Sequence, residues 1–445
     1  MPEEPRVTLL TDKESTAAAA DDFGRVAPTQ PPYAVVRPTG APDVAEALRL
    51  AAARSLPVAV RGRGRSVHGR ALVADGIVID MSALSTVHEV GEDRVTVDAG
   101  VPWSAVVDAT LEHGLTPPVL TDFPSVSVGG TLSFAGLGSA SHRHGAQTDQ
   151  VLELEVVTGD GRTHICSRDR EPELFHAVLG GLGQVGVVTK VTLRLIPAPP
   201  RVRLYQATLD SADDLVTEQG RLLRTGAFGH LEGWVPPGPG GWLYAVDAAV
   251  EYDPAHGLPD DEALLALLNR PRGTVRITDM TYREFLHRLG TEDTFSCVTT
   301  DAPHAHPWFA VFLPPGAVTE YIERLTAEVP PSDMGAMGTI EVYPLSTERL
   351  TTPLFRVPEG EPVVFMVAFF PCGPNNDPDW AQRTAAANRT RSERALALGG
   401  TGDPVGAVAR TAEDWAAHFG PQWPRLTAAM RRYDPDGVLR RLPAS

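Results

Sequence analysis

Residues 61–70 read RGRGRSVHGR. Four arginines and three glycines follow directly on Leu56–Val60, which reads as a short strand with Pro57 tolerated at its start. A glycine-rich turn after a strand can aim several backbone N–H groups at one anion while arginines neutralise it, and a pyrophosphate is the natural guest. A solvated basic turn is the competing reading, because glycine-rich motifs alone are weak signals. The stretch has no GK[ST], and its spacing is not a GxGxxG opening a helix, which argues against the usual nucleotide folds.

Around this turn the pattern is mixed. PDVAEALRLAAAR, Pro42–Arg54, places Val44, Leu48 and Ala51 on one helical face behind a first-turn proline. Strands are expected at Gly76–Met81 and Arg94–Ala99, and a helix at Trp103–Glu112. Leu152–Val157, then TGDG, then RTHICS form the clearest hairpin, with Gly159 and Gly161 supplying the turn. Val185–Pro197 alternates as a central strand should, and Pro197, Pro199 and Pro200 then break the pattern. We place a domain boundary there. Beyond it, Trp242–Val246, Trp308–Leu313, Thr339–Tyr343 and Val363–Phe370 alternate with helical segments, as an antiparallel sheet with helices on one face would. The last helices are expected at Ala381–Ala397 and Ala412–Phe419, and the first thirty-three residues read as a loosely packed segment, with order from Tyr33.

The bulk properties narrow the classes. A chain of 445 residues calls for two domains, or one with a large insertion. Thirty-nine basic against 56 acidic residues, a formal charge of -17, repel a phosphate backbone, so nucleic acid is not an expected partner. No apolar run reaches the ~18 residues of a membrane span, and the first forty residues lack a signal-peptide pattern. No membrane partner and a cytoplasmic location are expected. Cys166, Cys297 and Cys372 suggest neither a disulfide framework nor a zinc site. His304 and His306 form an HxH without a third ligand, so no metal is expected. Met334 and Met337 read as gap-filling residues, and Trp308 and Phe309 as core or pocket wall. Arg383, Arg389, Arg391, Arg394 and Arg410 read as a solvated helical face and its exit.

A second informative run is TDFPSVSVGGTLSFAGLGSASHRHG, Thr121–Gly145. Its small residues let backbone approach a flat ligand, and its hydroxyls can bond a heterocycle or a phosphate. Asp122, beside Phe123 and Pro124, is either a turn aspartate or, next to a ligand, a general base.

These segments, with RHGAQTDQVLELEVVTGDG, LGGLGQVGVVTKVTL, TYREFLHRL, HPWFAVFLP, IEVYPL, DWAAHFG and RLTAAMRRYDPDGVL, resemble the vanillyl-alcohol oxidase and p-cresol methylhydroxylase superfamily, and within it the cytokinin dehydrogenases. The resemblance implies an α+β, two-domain flavin-oxidase fold: an FAD-binding domain from residues 1–200 and the 399–445 tail, with an inserted substrate domain, 201–398, carrying an antiparallel sheet. It implies that Gly62, Arg63, Gly64, Arg65 and Ser66 form the pyrophosphate loop, with Gly69 beside it. It likewise assigns Asp122, Ser127, Gly129, Gly130, Thr131, Ser133, Gly136 and Leu137 to a second flavin-contacting run, and Val188 to a later contact. Asp122 matches the aspartate that accepts the substrate proton as hydride leaves for flavin N5.

Four departures stand out. Arg65 occupies the usual histidyl attachment position, and neither His68, His142, His144 nor any cysteine replaces it, so non-covalent FAD is expected. The substrate-domain glutamate is expected to be missing, with Arg272 or Arg276 in its neighbourhood hinting at an acidic or carbonyl-bearing substrate. A flavin- or substrate-contacting tyrosine corresponds roughly to Val405, and the terminal SPGQ is replaced by VLRRLPAS. The expected function is an FAD-dependent oxidase or dehydrogenase acting on a C–N or C–O centre of a small molecule, natural-product tailoring included. Oxygen or another acceptor would take the electrons. The alternative is a redox-inactive small-molecule binding protein on the same scaffold.

Overall fold

The computed structural model describes residues 7–270, 272–289, 304–335, 338–373 and 377–442. Cys297, Met337 and residues 301–303 of the HxH segment lie outside the described residues, as does the side chain of Arg272.

Ala34–Val36, Ile77–Asp80 and Val58–Arg61 form a three-stranded parallel sheet with Ile77–Asp80 in the middle. The helix Ala41–Arg54 buries Val44, Leu48 and Ala51 against it, the face its spacing predicts. A five-stranded antiparallel sheet follows, in the order Val87–Val90, Arg94–Asp98, Gly186–Arg194, Val151–Thr158, Thr163–Ser167. The expected hairpin is thus present, and Gly186–Arg194 lies at the centre. Helices Trp103–Leu111, Pro172–Val178 and Trp423–Tyr433 pack into the core of this sheet.

The largest sheet has eight strands, ordered Val275–Thr281, Arg201–Leu209, Tyr244–Tyr252, His230–Val235, Thr339–Ser346, Val363–Phe370, Phe309–Leu313, Thr401–Gly402, with every pairing antiparallel. Period-two alternation gives it two unlike faces. Ile340, Val342, Phe365, Val367 and Phe369 point to one side, into a core shared with helices Ala212–Thr225 and Pro315–Glu328. Tyr343, Leu345, Val364, Met366 and Ala368 point to the other, where they meet Ala135 from the second glycine-rich run and Ala146 just after it. The site lies on this second face.

Three sequence readings need correction. The expected strand Trp242–Val246 is displaced: Trp242 belongs to a short ladder, and the long strand is Tyr244–Tyr252. Of the first thirty-three residues, those described, 7–33, are not loosely packed. Helix Lys13–Ala18 is capped by the Asp12 side chain, and the segment after it clamps the glycine loop. The Asp22 carboxylate accepts from the Ser66 hydroxyl at 2.7 Å and the Gly69 N–H at 2.6 Å, while Phe23 N–H donates to Gly64 O and Gly24 N–H to Ser66 O. The approach is so close that a Cβ on Gly24 would stand 2.2 Å from the Val67 carbonyl oxygen. The arginines are not all solvated either. Arg391 is buried beside Phe369, and Arg410 stacks on Trp415, opposed in this by Arg70, with guanidinium carbons 5.0 and 4.7 Å from the ring.

The chain's last described stretch returns to the first sheet. Val58 N–H donates to Val438 O, Arg440 N–H donates to Val58 O, and Leu439 bridges Val58 in parallel.

Replacing Asp22 by alanine strips an acceptor from buried donors on the loop. We expect Asp22→Ala to lose about 1–3 kcal/mol of stability in urea denaturation, and Asp22→Asn, which keeps a carbonyl acceptor, to lose less. Equal midpoints for Asp22→Ala and wild type would show that the clamp contributes nothing.

Candidate functional site

A cavity of 390 Å³ opens between the glycine loop, the second glycine-rich run and the polar face of the eight-stranded sheet. Its wall includes Gly62, Arg63, Gly64, Arg65, Ser66, Asp122, Ser127, Gly129, Gly130, Thr131, Ser133, Gly136, Leu137 and Val188. Sequence segments far apart thus converge on one surface. Gly69 is the exception: it lies off the wall and serves the loop through its bond to Asp22. Gly62 shows why the loop needs glycine, since a Cβ there would stand 2.1 Å from Ser127 Oγ, where the two runs meet. Val405 also lines the cavity. His68, His142 and His144 do not, and burial pushes each of their pKa values down to about 4.

Arg70, the last arginine of the quoted turn, and Arg440, which the sequence reading left unassigned, line the glycine-loop side. Arg440 Nη1 is held by Gly69 O and Leu72 O, and Arg70 Nη2 by Pro404 O at 3.0 Å. Arg70 Nε is buried with no hydrogen-bond partner. Burial, together with Arg410 and Arg440 nearby, pushes the Arg70 pKa down to about 9, with Asp403 opposing. Such a wall suits an anion that supplies the missing acceptor, and a dianionic diphosphate fits it. Arg65 stands in the wall with its guanidinium 5.0 Å from the Phe23 ring.

The opposite wall is acidic. Asp122, on the turn before helix Val128–Leu132, has a side chain only 10% exposed and accepts from the Tyr343 hydroxyl. Tyr343 and Glu341, two apart on Thr339–Ser346, share the sheet's cavity face, and both line the cavity. Glu341 Oε1 lies 2.8 Å from the same Tyr343 hydroxyl. Glu232 and Asp247, directly opposite each other on neighbouring strands, extend the cluster. Arg288, just after helix Tyr282–His287, pairs with Glu232 and lies 3.8 Å from Asp122 Oδ1. Burial, with Glu232 next, holds the Asp122 carboxyl above the ordinary carboxylate range, although Arg288 and Tyr343 pull it down. Burial does the same to Asp247, again with Glu232 next.

Of Arg272 and Arg276, expected in the neighbourhood of the missing substrate-domain glutamate, Arg276 sits exposed on an edge strand opposite Gln206, and the guanidinium near Asp122 is that of Arg288. The available signal for Glu341 was a lone carboxylate inside the apolar strand TIEVYPLS. Trp308 packs against Phe123 and Phe370 of the cavity wall, whereas Phe309 belongs to the core. Cys166 and Cys372 are buried, and Met334 is fully buried in the core. Among the described residues no group of three His, Cys, Asp or Glu side chains is placed to hold a metal ion, and no helix is long and apolar enough to cross a membrane.

Comparison with known proteins matches this geometry. A family model described as an FAD binding domain covers residues 32–167, and one described as "Cytokinin dehydrogenase 1, FAD and cytokinin binding" covers residues 215–441, giving a two-domain architecture. An uncharacterized oxidoreductase of a fasciation locus in Rhodococcoides fascians is 38% identical, over 96% of this chain and 97% of its own. Cytokinin dehydrogenase 10 of Oryza sativa subsp. japonica is 33% identical over 97% of this chain and 87% of its own. Cytokinin dehydrogenase 5 of Arabidopsis thaliana is 30% identical over 95% and 86%. The chain belongs to the cytokinin dehydrogenase family of FAD-dependent oxidoreductases.

Proposed function

We propose that the protein oxidises a C–N or C–O centre of a small organic molecule, with Asp122 as the base and FAD held without a covalent bond. The observation that carries this reading is a nearly buried carboxylate facing an arginine-rich glycine loop across one cavity. In this reading Gly62, Arg63, Gly64, Arg65 and Ser66, with Arg70 and Arg440, hold the diphosphate, while Ser127, Gly129, Gly130, Thr131, Ser133, Gly136, Leu137 and Val188 border the ring system. When bound, FAD supplies the hydride acceptor, its N5. Asp122 accepts the proton from the substrate N–H or O–H, and Arg288 offsets the charge that Asp122 carries beforehand. The apolar wall of Phe312, Met366 and Phe370 keeps water from the reacting atoms.

Non-covalent attachment follows from Arg65, since a guanidinium offers no histidyl bond to the flavin. The rice and Arabidopsis relatives are named cytokinin dehydrogenases, so a cytokinin such as isopentenyladenine is the first substrate to try. Oxygen or another acceptor would reoxidise the cofactor, and a tailoring oxidation of a natural product would use the same groups. We place the domain junctions at residues 200 and 398. Supporting this, the eight-stranded sheet begins at Arg201, although its edge strand Thr401–Gly402 lies just past the second junction.

Asp122→Asn retains the cavity but removes the base. We expect it to bind FAD and to slow anaerobic bleaching of the flavin by isopentenyladenine by about 10²–10⁴-fold in stopped-flow absorbance. Unchanged bleaching would remove Asp122 from the chemistry. Because the base works ionised and its pKa is shifted upward, the wild-type bleaching rate should rise with pH along a limb lying above the ordinary carboxylate range. Arg70→Met should weaken FAD binding about tenfold or more in isothermal titration calorimetry, by loss of a charge-assisted contact. Acid precipitation should leave the flavin in the supernatant, and a yellow pellet would contradict non-covalent binding.

A further inference from the structure

The tyrosine between the two carboxyls poses a proton count. Tyr343 has one phenolic proton, yet its oxygen lies within bonding distance of both Asp122 Oδ2 and Glu341 Oε1. One proton cannot serve two carboxylates, so one of the two carboxyls must bring its own. Which one is decided by the surroundings. Asp122 has the Arg288 guanidinium 3.8 Å away, a charge that favours its ionised form. Glu341, 4% exposed, faces the negative groups Asp122 and Glu232, and the Arg288 guanidinium is already engaged by Glu232. Its strand neighbours, Trp234 and Ala368, bring no charge. Asp247, the fourth carboxyl of the cluster, is bonded to the Gln206 amide at 3.1 Å. Four carboxyls around one guanidinium cannot all be ionised out of water.

We propose that Glu341 is a neutral carboxylic acid that acts as a positioning residue: its O–H donates to the Tyr343 oxygen, which commits the phenolic proton to Asp122 and keeps that carboxylate ionised. Burial next to Asp122 and Glu232 raises the Glu341 pKa well above its ordinary value, in the same sense. The chain of donors runs one way, Glu341 to Tyr343 to Asp122, and each link polarises the next. The inference deepens the proposed function, because it matters for catalysis only if Asp122 is the base. No proton is consumed or lost in the resting arrangement; Asp122 gains one when the substrate gives it up.

The test compares three variants of the FAD-loaded protein, using isopentenyladenine as the probe. Tyr343→Phe should move the acid limb of the bleaching rate upward, since the ionised Asp122 loses a donor. Glu341→Leu should move it upward too, by about half a unit to one unit, while Glu341→Gln, whose amide still donates, should restore it. An ionised Glu341 predicts the opposite, with Leu and Gln both moving the limb downward by removing a repelling charge, and that result overturns the proposal. Infrared spectroscopy gives a readout that needs no substrate. At pH 7 the difference between the wild-type and Glu341→Gln spectra should contain a protonated-carboxyl band that is retained in Asp122→Asn and in Asp247→Asn, and a Glu341→Gln protein that loses no such band overturns the assignment. If isopentenyladenine bleaches none of the proteins, the cytokinin reading fails, and the infrared bands still decide the protonation of Glu341.

Discussion

A carboxylate can stay charged inside a protein only where donors and a counter-charge replace the water it has lost. Asp122 has both, and they come from parts of the chain remote from it: the phenol of Tyr343 from a central strand, the guanidinium of Arg288 from the end of a short helix. The eight-stranded sheet is what brings them together. Its apolar face is fixed to two helices, so register and alternation leave Glu232, Asp247, Glu341 and Tyr343 no choice of side. A slip of one residue along Thr339–Ser346 would bury Val342 toward the cavity and turn the acid and the phenol into the helical core.

Across the cavity the electrostatics invert. Arg63, Arg65, Arg70 and Arg440 face the space from the loop side, and among the described residues Asp403 is the only carboxylate on that part of the wall. One wall is therefore short of negative charge and the other crowded with it. Such a gradient orients a ligand that is anionic at one end and carries a hydrogen-bond donor at the other, before any fine contact forms.

Local chemistry was legible in the sequence and long-range geometry was not. The glycine loop, the hydroxyl-rich run and the helix face of Val44, Leu48 and Ala51 are each written in a short local stretch; the first two line one cavity, and the helix face is buried as its spacing predicts. Asp122 lies in the quoted run, but its partners come from a strand and a helix end whose separation in sequence carries no pairing signal. Arg288 lies unmarked inside TYREFLHRL, whereas of Arg272 and Arg276, the arginines expected near the substrate, the register sends Arg276 to an exposed edge. Residues 7–33 escape such a reading for a related reason: low periodicity marks the lack of an amphipathic helix, and Asp22–Gly24 are held instead by a buried carboxylate and backbone bonds to the loop. Arg410 read as solvated because composition cannot reveal a tryptophan waiting to stack on it.

The return of Val438–Arg440 to Val58 has a consequence for biosynthesis. Val58 leaves the ribosome before the large sheet does, but the neighbour that satisfies its backbone N–H and carbonyl is made only after that whole sheet. Until then the strand keeps an unpaired edge, and the guanidinium that braces Gly69 is missing. Cofactor capture is thus deferred until Arg440 has been made, while the large sheet, whose strands lie between Arg201 and Gly402, can assemble first.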